Sequence, residues 1–272
     1  MDNPSSDPGA GTPPSRSPGI SACVIAMDEA DRIADCLSSL DICDEIIVVD
    51  AHSSDDTRDI AIAAGARVIE RDWPGHREQK QFAVDQATHD WVLCLDADER
   101  LSEELKREIV AIRDGGFSDV GGWSMPRLSH HLGAWIRYGS WYPNRQLRLF
   151  DRRRGCWGGV NPHDRWETDA PVLQLRGDLL HFPYRDFDEH LRTLDRYSTI
   201  SAGRLFELGG KAGPADIIIR PPLRFLRGFL LKRGFLLGWR GLVLAILDAR
   251  SVRLKYTRLR ALNRQRKRAG QG

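Results

Sequence analysis

The chain has 272 residues, 41% hydrophobic and 29% charged, with a formal net charge of +2. That composition excludes a disordered or low-complexity chain and suits one large domain, or a domain with an appendage. The small net charge hides an asymmetry: between Arg220 and Arg268 the only acid is Asp248, so the C-terminal end calls for an anionic partner, a membrane surface or a nucleic acid.

Residues 1–19 are rich in Pro, Gly and Ser, lack the apolar core of a signal peptide, and read as a disordered tail. Ile20–Met27 is a short apolar run, a strand. Glu29–Leu40 has Ile33, Ala34, Leu37 and Leu40 at helical spacing. Glu45–Asp50 (EIIVVD) is a continuous β-branched run ending in a carboxylate, as buried parallel strands often do. A helix over Ser53–Ala64, a strand at Arg67–Glu70, a helix over Gln79–Ala87, a strand at Trp91–Leu95 and a helix over Leu101–Arg113 follow. Strands alternating with helices define an α/β fold with a doubly wound, mostly parallel sheet. Ligands of such sheets bind beyond the carboxyl ends of the strands, where Asp50, Asp96 and Asp98 lie.

After Gly115 the alternation stops. Residues 121–182 hold strand-like runs (WSMPRL, QLRLF, VLQLRG) and suggest a mixed or antiparallel extension of the sheet. Asp186–Leu208 is a helix, and 214–260 reads as two or three basic amphipathic helices. No uncharged apolar run approaches the roughly 18 residues of a membrane-spanning helix. The five cysteines (Cys23, Cys36, Cys43, Cys94, Cys156) have neither CxxC nor metal-finger spacing; reduced, buried thiols of a cytosolic protein are expected.

The stretch DADE, Asp96–Glu99, places three carboxylates in four residues behind an apolar strand. Either they are solvated in a turn or a cation sits among them. Mg²⁺ or Mn²⁺ prefers such oxygen ligands and takes the rest of its shell from water and a diphosphate. Alone the pattern is weak. Together with ISACVIAMDEADRIADCLSSL, EIIVVDAHSSDDT and GHREQKQFAVDQATHDWVLCLDADE, in that order, it resembles the nucleotide-sugar end of family 2 glycosyltransferases, which have the GT-A fold. HFPYRDFDEHLRTLDRYSTISA and the region from PPLRFLRG to RLKY resemble the C-terminal half of a subgroup that includes bacterial lipopolysaccharide-core β-glucosyltransferases. The resemblance spans about residues 20–257. Departures are Asp28 where Asn is usual, His52 and Asp56 at small or Gly positions, and Lys80-Gln81 where Arg-Asn is usual; all keep charge or polarity.

The resemblance implies a GT-A catalytic domain over 20–210, with a nucleotide-sugar half (20–120) and an acceptor half (121–210), followed by a basic amphipathic helical extension over 211–272. It implies a divalent cation, Mg²⁺ or Mn²⁺, at Asp96 and Asp98, and a donor, most simply a UDP-sugar, held by Asp50, Glu29, Lys80, Arg77 and Asp96. Asp50 would accept the N3–H of a uracil ring; capping the next helix is the competing use. Lys80 or Arg77 would reach the diphosphate, and either is equally compatible with a solvated helix face.

Inverting sugar transfer needs a base for the acceptor hydroxyl. In GGVNPHDRWE, residues 158–167, the subgroup has Val-His-Glu, so Asp164 is the expected base, Glu167 the backup, and His163 a further donor to the metal or diphosphate. A structural turn with a hydrogen-bonded His is the plain alternative. Four aromatics interleaved with Arg137, Arg145 and Arg148 suit a phosphorylated saccharide acceptor, or equally an edge strand with a basic rim. His181 reads as a satisfied structural histidine. The apolar and basic residues of 217–257 suit a membrane interface, a helical cap on the sheet, or both.

The expected protein is thus an inverting hexosyltransferase, peripheral on the cytoplasmic face of a bacterial inner membrane. It would move a glucose-like hexose to a lipopolysaccharide-core or other lipid-linked saccharide, with no nucleic-acid partner. The rival is a non-catalytic membrane-associated or nucleic-acid-binding adaptor on the same fold. Joint presence of Asp50, the paired aspartates and Asp164 argues against it. A nucleotidyltransferase would carry a Gly-rich phosphate loop after its first strand, and AMDEADRI (26–33) has no Gly.

Overall fold

The computed structural model describes residues 18–160 and 163–269, and the side chains of Val160, His163 and Ala269 are outside the description. The tail expected over 1–19 lies almost wholly outside the described residues. Four strands, β1 (Ile20–Ala26), β2 (Glu45–Asp50), β3 (Arg67–Glu70) and β4 (Trp91–Asp96), run parallel in the order β3-β2-β1-β4. Between them run α1 (Ile33–Ser38), α2 (Thr57–Ala63) and α3 (His76–Asp85). A short β5 (Glu99–Leu101) precedes α4 (Glu103–Asp114).

The expected mixed extension follows. It comprises β6 (Gly122–His131), β7 (Ala134–Trp135), β8 (Asn144–Asp151), β9 (Cys156–Val160), β10 (His163–Glu167), β11 (Val172–Gln174) and β12 (Leu179–His181). β8 inserts antiparallel between β4 and β6, and the sheet runs on through β12 to β5. β9 and β10 form a separate hairpin.

Alternate β1 residues feed two cores. Ile20, Ala22 and Val24 pack with Ile33 and Leu37 of α1 and Leu105 and Ile109 of α4. Cys23 and Ile25 face Ala83 and Val84 of α3 and Trp157 and Trp166 of the hairpin. Each fully buried Leu, Ile or Val contributes about 1.5–3 kcal/mol. A strand buried on both faces carries few polar groups until it ends, so its first carboxylate marks the sheet edge.

Several boundaries differ from expectation, among them α3, which runs His76–Asp85 where Gln79–Ala87 was expected. α1 begins at Ile33 rather than Glu29, and α2 at Thr57 rather than Ser53, because side chains just ahead of both helices are used to join two loops. Leu101 belongs to β5, opposite Leu179, and the helix starts only after Ser102, whose Oγ accepts from Leu105 N at 3.2 Å. Cys23, Cys36 and Cys94 are buried free thiols as expected, but Cys156 is exposed.

α5 (Phe187–Glu207) is capped by Asp186, which accepts from Glu189 N at 2.6 Å. Its buried stripe, His190, Leu194, Ser198 and Ala202, recurs every fourth residue, and the helix packs on the C-terminal α8 (Trp239–Ala269). Between them lie α6 (Pro214–Ile218), α7 (Arg220–Leu226), a π-type turn (Arg227–Leu231) and a 3₁₀ turn (Gly234–Leu237), so the expected helices are more broken than their periodicity suggested.

Candidate active site

The loops after β1 and β2 are stapled to each other. Ser53 Oγ accepts from Asp28 N at 2.9 Å, Thr57 Oγ1 from Glu29 N at 2.8 Å, and Asp55 Oδ2 from Ala30 N at 3.1 Å. In return Asp28 Oδ1 accepts from Ser54 N at 2.7 Å and Ser54 Oγ at 3.0 Å. The unusual Asp28 is thereby used as a link to the loop after β2. Asp50 is fully buried and accepts from Ser53 N at 2.8 Å and from Ser53 Oγ, which closes the turn after β2; it does not cap α2, which starts only at Thr57 and has no side-chain cap. A carboxylate has about four lone-pair sites, which leaves acceptor capacity.

The DADE residues divide the work. Glu99 is completely buried; its Oε1 takes Arg148 Nη2 at 2.8 Å and Arg127 Nη1 at 3.2 Å, and its Oε2 accepts from Asp96 N at 3.1 Å. It anchors the turn that carries the two aspartates. Asp96 has two cations, Arg148 Nη2 at 2.6 Å and Lys80 Nζ at 2.9 Å. Burial pushes its carboxyl up, but Arg148 and Lys80 outweigh that and hold it well below the usual range. Asp98 meets an imidazole instead: His181 Nε2 is 3.4 Å from its Oδ2. Burial raises the Asp98 pKa, yet His181 brings the net shift down. Ser129 Oγ lies 3.0 Å from His181 Nδ1 and fixes the ring from behind.

Among the described residues no three His, Cys, Asp or Glu side chains are grouped to enclose an ion. The Asp98–His181 pair nevertheless fits a hard divalent cation, since Mg²⁺ or Mn²⁺ completes its shell from water and substrate oxygens. Asp96, already holding two protein cations, is the less open of the two aspartates.

Lys80 connects this edge to the acceptor half. Its Nζ is 2.9 Å from Asp164 Oδ2 on β10 and lies over the Trp157 ring at 4.9 Å. Lys80 is 4% exposed. Burial pushes its pKa down, but Asp96 and Asp164 more than restore it, so it stays charged. Gln81 secures the hairpin: its Oε1 accepts from Trp157 N at 2.8 Å. The structure thus brings Asp96 and Asp164 onto one lysine. The side chain of His163 lies outside the described residues. Glu167 is half exposed and bonded to Arg165 Nε at 2.9 Å.

Glu29 is pushed up to about 7 by burial, with Arg32 pulling down, Asp98 pushing up and Arg185 pulling down. Its carboxylate is 3.1 Å from Arg185 and 3.7 Å from Arg32. Arg77 pairs with its neighbour Glu78 at the exposed start of α3. Arg137, Arg145 and Arg148 each have partners within the chain. Arg137 pairs with Asp178 at 2.9 Å, Arg145 donates to the carbonyls of Ser124 and Leu175, and Arg148 is buried beneath Asp96. His181 and His76 are additions that the sequence did not flag. His76 opens α3, one turn ahead of Lys80, and meets the Trp73 ring edge-on at 4.8 Å between centroids; burial lowers its pKa. His181 was hidden by its distance along the chain from Asp98, but His76 stands beside Arg77 and four residues before Lys80, so its place in the sequence was a usable signal.

A parallel sheet with strand-end carboxylates, one imidazole and a lysine bridge defines a site for an anionic ligand carried by a cation. The glycosyl transferase family 2 model matches residues 21–171, more than half of the chain. The lipopolysaccharide core biosynthesis glycosyltransferase LpsC of Rhizobium meliloti (strain 1021) is 31% identical over 250 residues, covering 86% of this chain and 91% of that protein. The uncharacterized glycosyltransferase RP128 of Rickettsia prowazekii (strain Madrid E) is 31% identical over 261 residues, covering 90% and 87%. Among solved structures, S. aureus TarS 1–349 in complex with UDP-GlcNAc is 14% identical with a TM-score of 0.46, covering 92% of each chain. This chain belongs to glycosyltransferase family 2 and has the GT-A fold.

Proposed function

We propose that the chain transfers a hexose, with inversion, from a UDP-sugar to a lipopolysaccharide-core or other lipid-linked saccharide. The observation that carries this reading is the Lys80 bridge, which sets the strand-end Asp96 and the acceptor-side Asp164 on one ammonium. The departing diphosphate needs positive charge and the acceptor hydroxyl needs a base, and the bridge places an ammonium and an acceptor-side carboxylate at one edge of the sheet. Residues 20–120 hold the donor: Asp50 at the base, Glu29, Asp96, Lys80 and Arg77 around the diphosphate. Residues 121–210 serve the acceptor, and 211–272 form the extension. Asp98, with Asp96 and His181 beside it, holds the divalent cation, which when bound neutralises charge on the departing diphosphate. Asp164 takes the proton of the attacking hydroxyl. Its Oδ2 is held by Lys80 Nζ at 2.9 Å, which leaves Oδ1 as the oxygen to take the proton. The name of the R. meliloti relative supports a lipopolysaccharide-core acceptor.

The extension favours a membrane surface over nucleic acid. No helix among the described residues is long and apolar enough to cross a membrane. Yet Ile218, Leu223, Leu231 and Trp239 are 67, 58, 81 and 57% exposed, interleaved with Arg220, Arg224, Arg227 and Lys232. Large apolar side chains beside cations match the boundary of an anionic bilayer, and a nucleic acid would have no use for them. Such docking would place the enzyme on the cytoplasmic face of the inner membrane.

The test is transfer from a panel of nucleotide sugars to a lipid-linked saccharide in vesicles. Asp98→Asn is expected to lower turnover by several orders of magnitude without changing the melting temperature. Full activity of that variant, or of the parent in excess EDTA, removes the metal assignment.

A further inference from the structure

An open cleft of about 400 Å³ lies along one face of α5, lined by Arg185, Asp186, Glu189, Arg192, Thr193 and Arg196. The start of this helix is pinned to the edge of the sheet described above. His181 touches Asp98, and Phe182 N donates to the Asp98 carbonyl at 2.9 Å. Arg185 Nη2 donates to the Asp28 carbonyl at 2.7 Å. The cleft therefore opens beside the strand-end carboxylates and leads away from them along the helix.

Most of its charges are already matched. Arg185 holds Asp31 at 2.7 Å and Glu29 at 3.1 Å. Glu189 lies 3.6 Å from Arg185 and 3.7 Å from Arg32. Asp186 caps the helix. Arg192 and Arg196 are different. Both are exposed, one turn apart on the same face, and among the described residues neither has a carboxylate within ion-pair distance. The nearest aromatic contact is the Tyr197 ring, 5.3 Å from the Arg196 guanidinium. Thr193 adds a hydroxyl between them. Two guanidinium forks and a hydroxyl on one wall make a receptor for an oxyanion, since guanidinium binds phosphate or carboxylate with two parallel bonds.

We infer that Arg192, Thr193 and Arg196 bind a phosphate or other oxyanion borne by the saccharide acceptor, and so select an acidic acceptor. This rests on the glycosyltransferase reading for the word acceptor; the binding itself does not. The donor diphosphate is the other source of the same chemistry. It belongs at Asp98, whereas Arg192 and Arg196 are carried by α5, and a phosphate titration with UDP–Mn²⁺ already bound tells the two sources apart. The three arginines that the 130–150 segment offered for this task are all consumed internally, which leaves α5 to supply it.

Calorimetry on the full chain separates the sources. One titration uses UDP with Mn²⁺; the second uses inorganic phosphate after UDP–Mn²⁺ is saturating. In Arg192→Gln/Arg196→Gln, phosphate affinity is expected to fall about tenfold to a hundredfold, the scale of lost charge-assisted bonds, with UDP affinity within about twofold. Arg192→Lys/Arg196→Lys should keep part of the phosphate affinity, and Thr193→Val should lower it without touching either charge. Equal phosphate binding by parent and Gln variant, or no phosphate binding by the parent, overturns the proposal. So does a loss of UDP affinity as large as the loss of phosphate affinity, which would assign the pair to the donor. Failure of the parent to bind UDP–Mn²⁺ strikes instead at the donor reading, and the phosphate titration is then read by itself.

Discussion

Asp164 and Glu167 sit three residues apart on one strand and live in different surroundings. Asp164 is 6% exposed and bonded to a buried lysine; Glu167 is 45% exposed beside an exposed arginine. General-base help is worth about 10²–10⁴ in rate. Asp164→Asn should lose transfer on that scale while binding UDP and Mn²⁺ nearly as the parent does, and Glu167→Gln should be milder. Turnover measured beside calorimetric donor binding decides it, and a dead Glu167→Gln with an active Asp164→Asn hands the role to Glu167. Glu99 illustrates the opposite fate of a motif acid. Removing one partner from a buried pair of this kind costs about 3–5 kcal/mol, because the arginines would be left uncompensated. It reads in sequence as part of a ligand motif, and its partners Arg127 and Arg148, distant along the chain, make it an anchor.

At the scale of elements, the strands were legible and the polar contacts were not. β2 falls where its apolar run predicts because its second half is buried, which leaves little freedom of composition; β3, none of whose residues is buried, is marked only by Val68 and Ile69 between charged ends. α1 and α2 were overestimated because Ser53, Asp55 and Thr57 carry the signature of a helix start while bonding a neighbouring loop. His181 read as structural because its meeting with Asp98 depends on β12 pairing with β5, which no local pattern announces. The same pairing problem hid the His131–His190 contact, Nε2 to Nδ1 at 3.0 Å, between β6 and α5. The groups facing the pair are Trp141, Tyr184 and Phe187, none of them charged. Burial lowers His190 from 6.5 to about 4, with His131 adding to the effect. A depressed histidine favours the fold where it is neutral. Its contribution is fully present above about pH 6.5, falls as the unfolded chain protonates first, and is gone by about pH 4. His190→Gln should therefore flatten the decline of melting temperature between pH 6.5 and 4, and a parallel decline in both proteins would refute this origin.

Across the whole molecule, the exposed apolar residues gather on the C-terminal segment and the carboxylates on the sheet edge. Flotation with anionic vesicles should be strong for the parent, weaken as salt shortens the screening length toward about 8 Å, and fall sharply in Leu223→Glu/Leu231→Glu. Equal flotation of that variant would count against a surface role for the segment. α5 stands between the two regions. One of its faces, His190 to Ala202, is packed on α8, and the other lines the arginine cleft. With 21 residues it is roughly 31 Å long and has no proline. Clamped along one side, a rod of that length fixes the spacing of Arg192 and Arg196 by helix geometry, where a loop would let it vary.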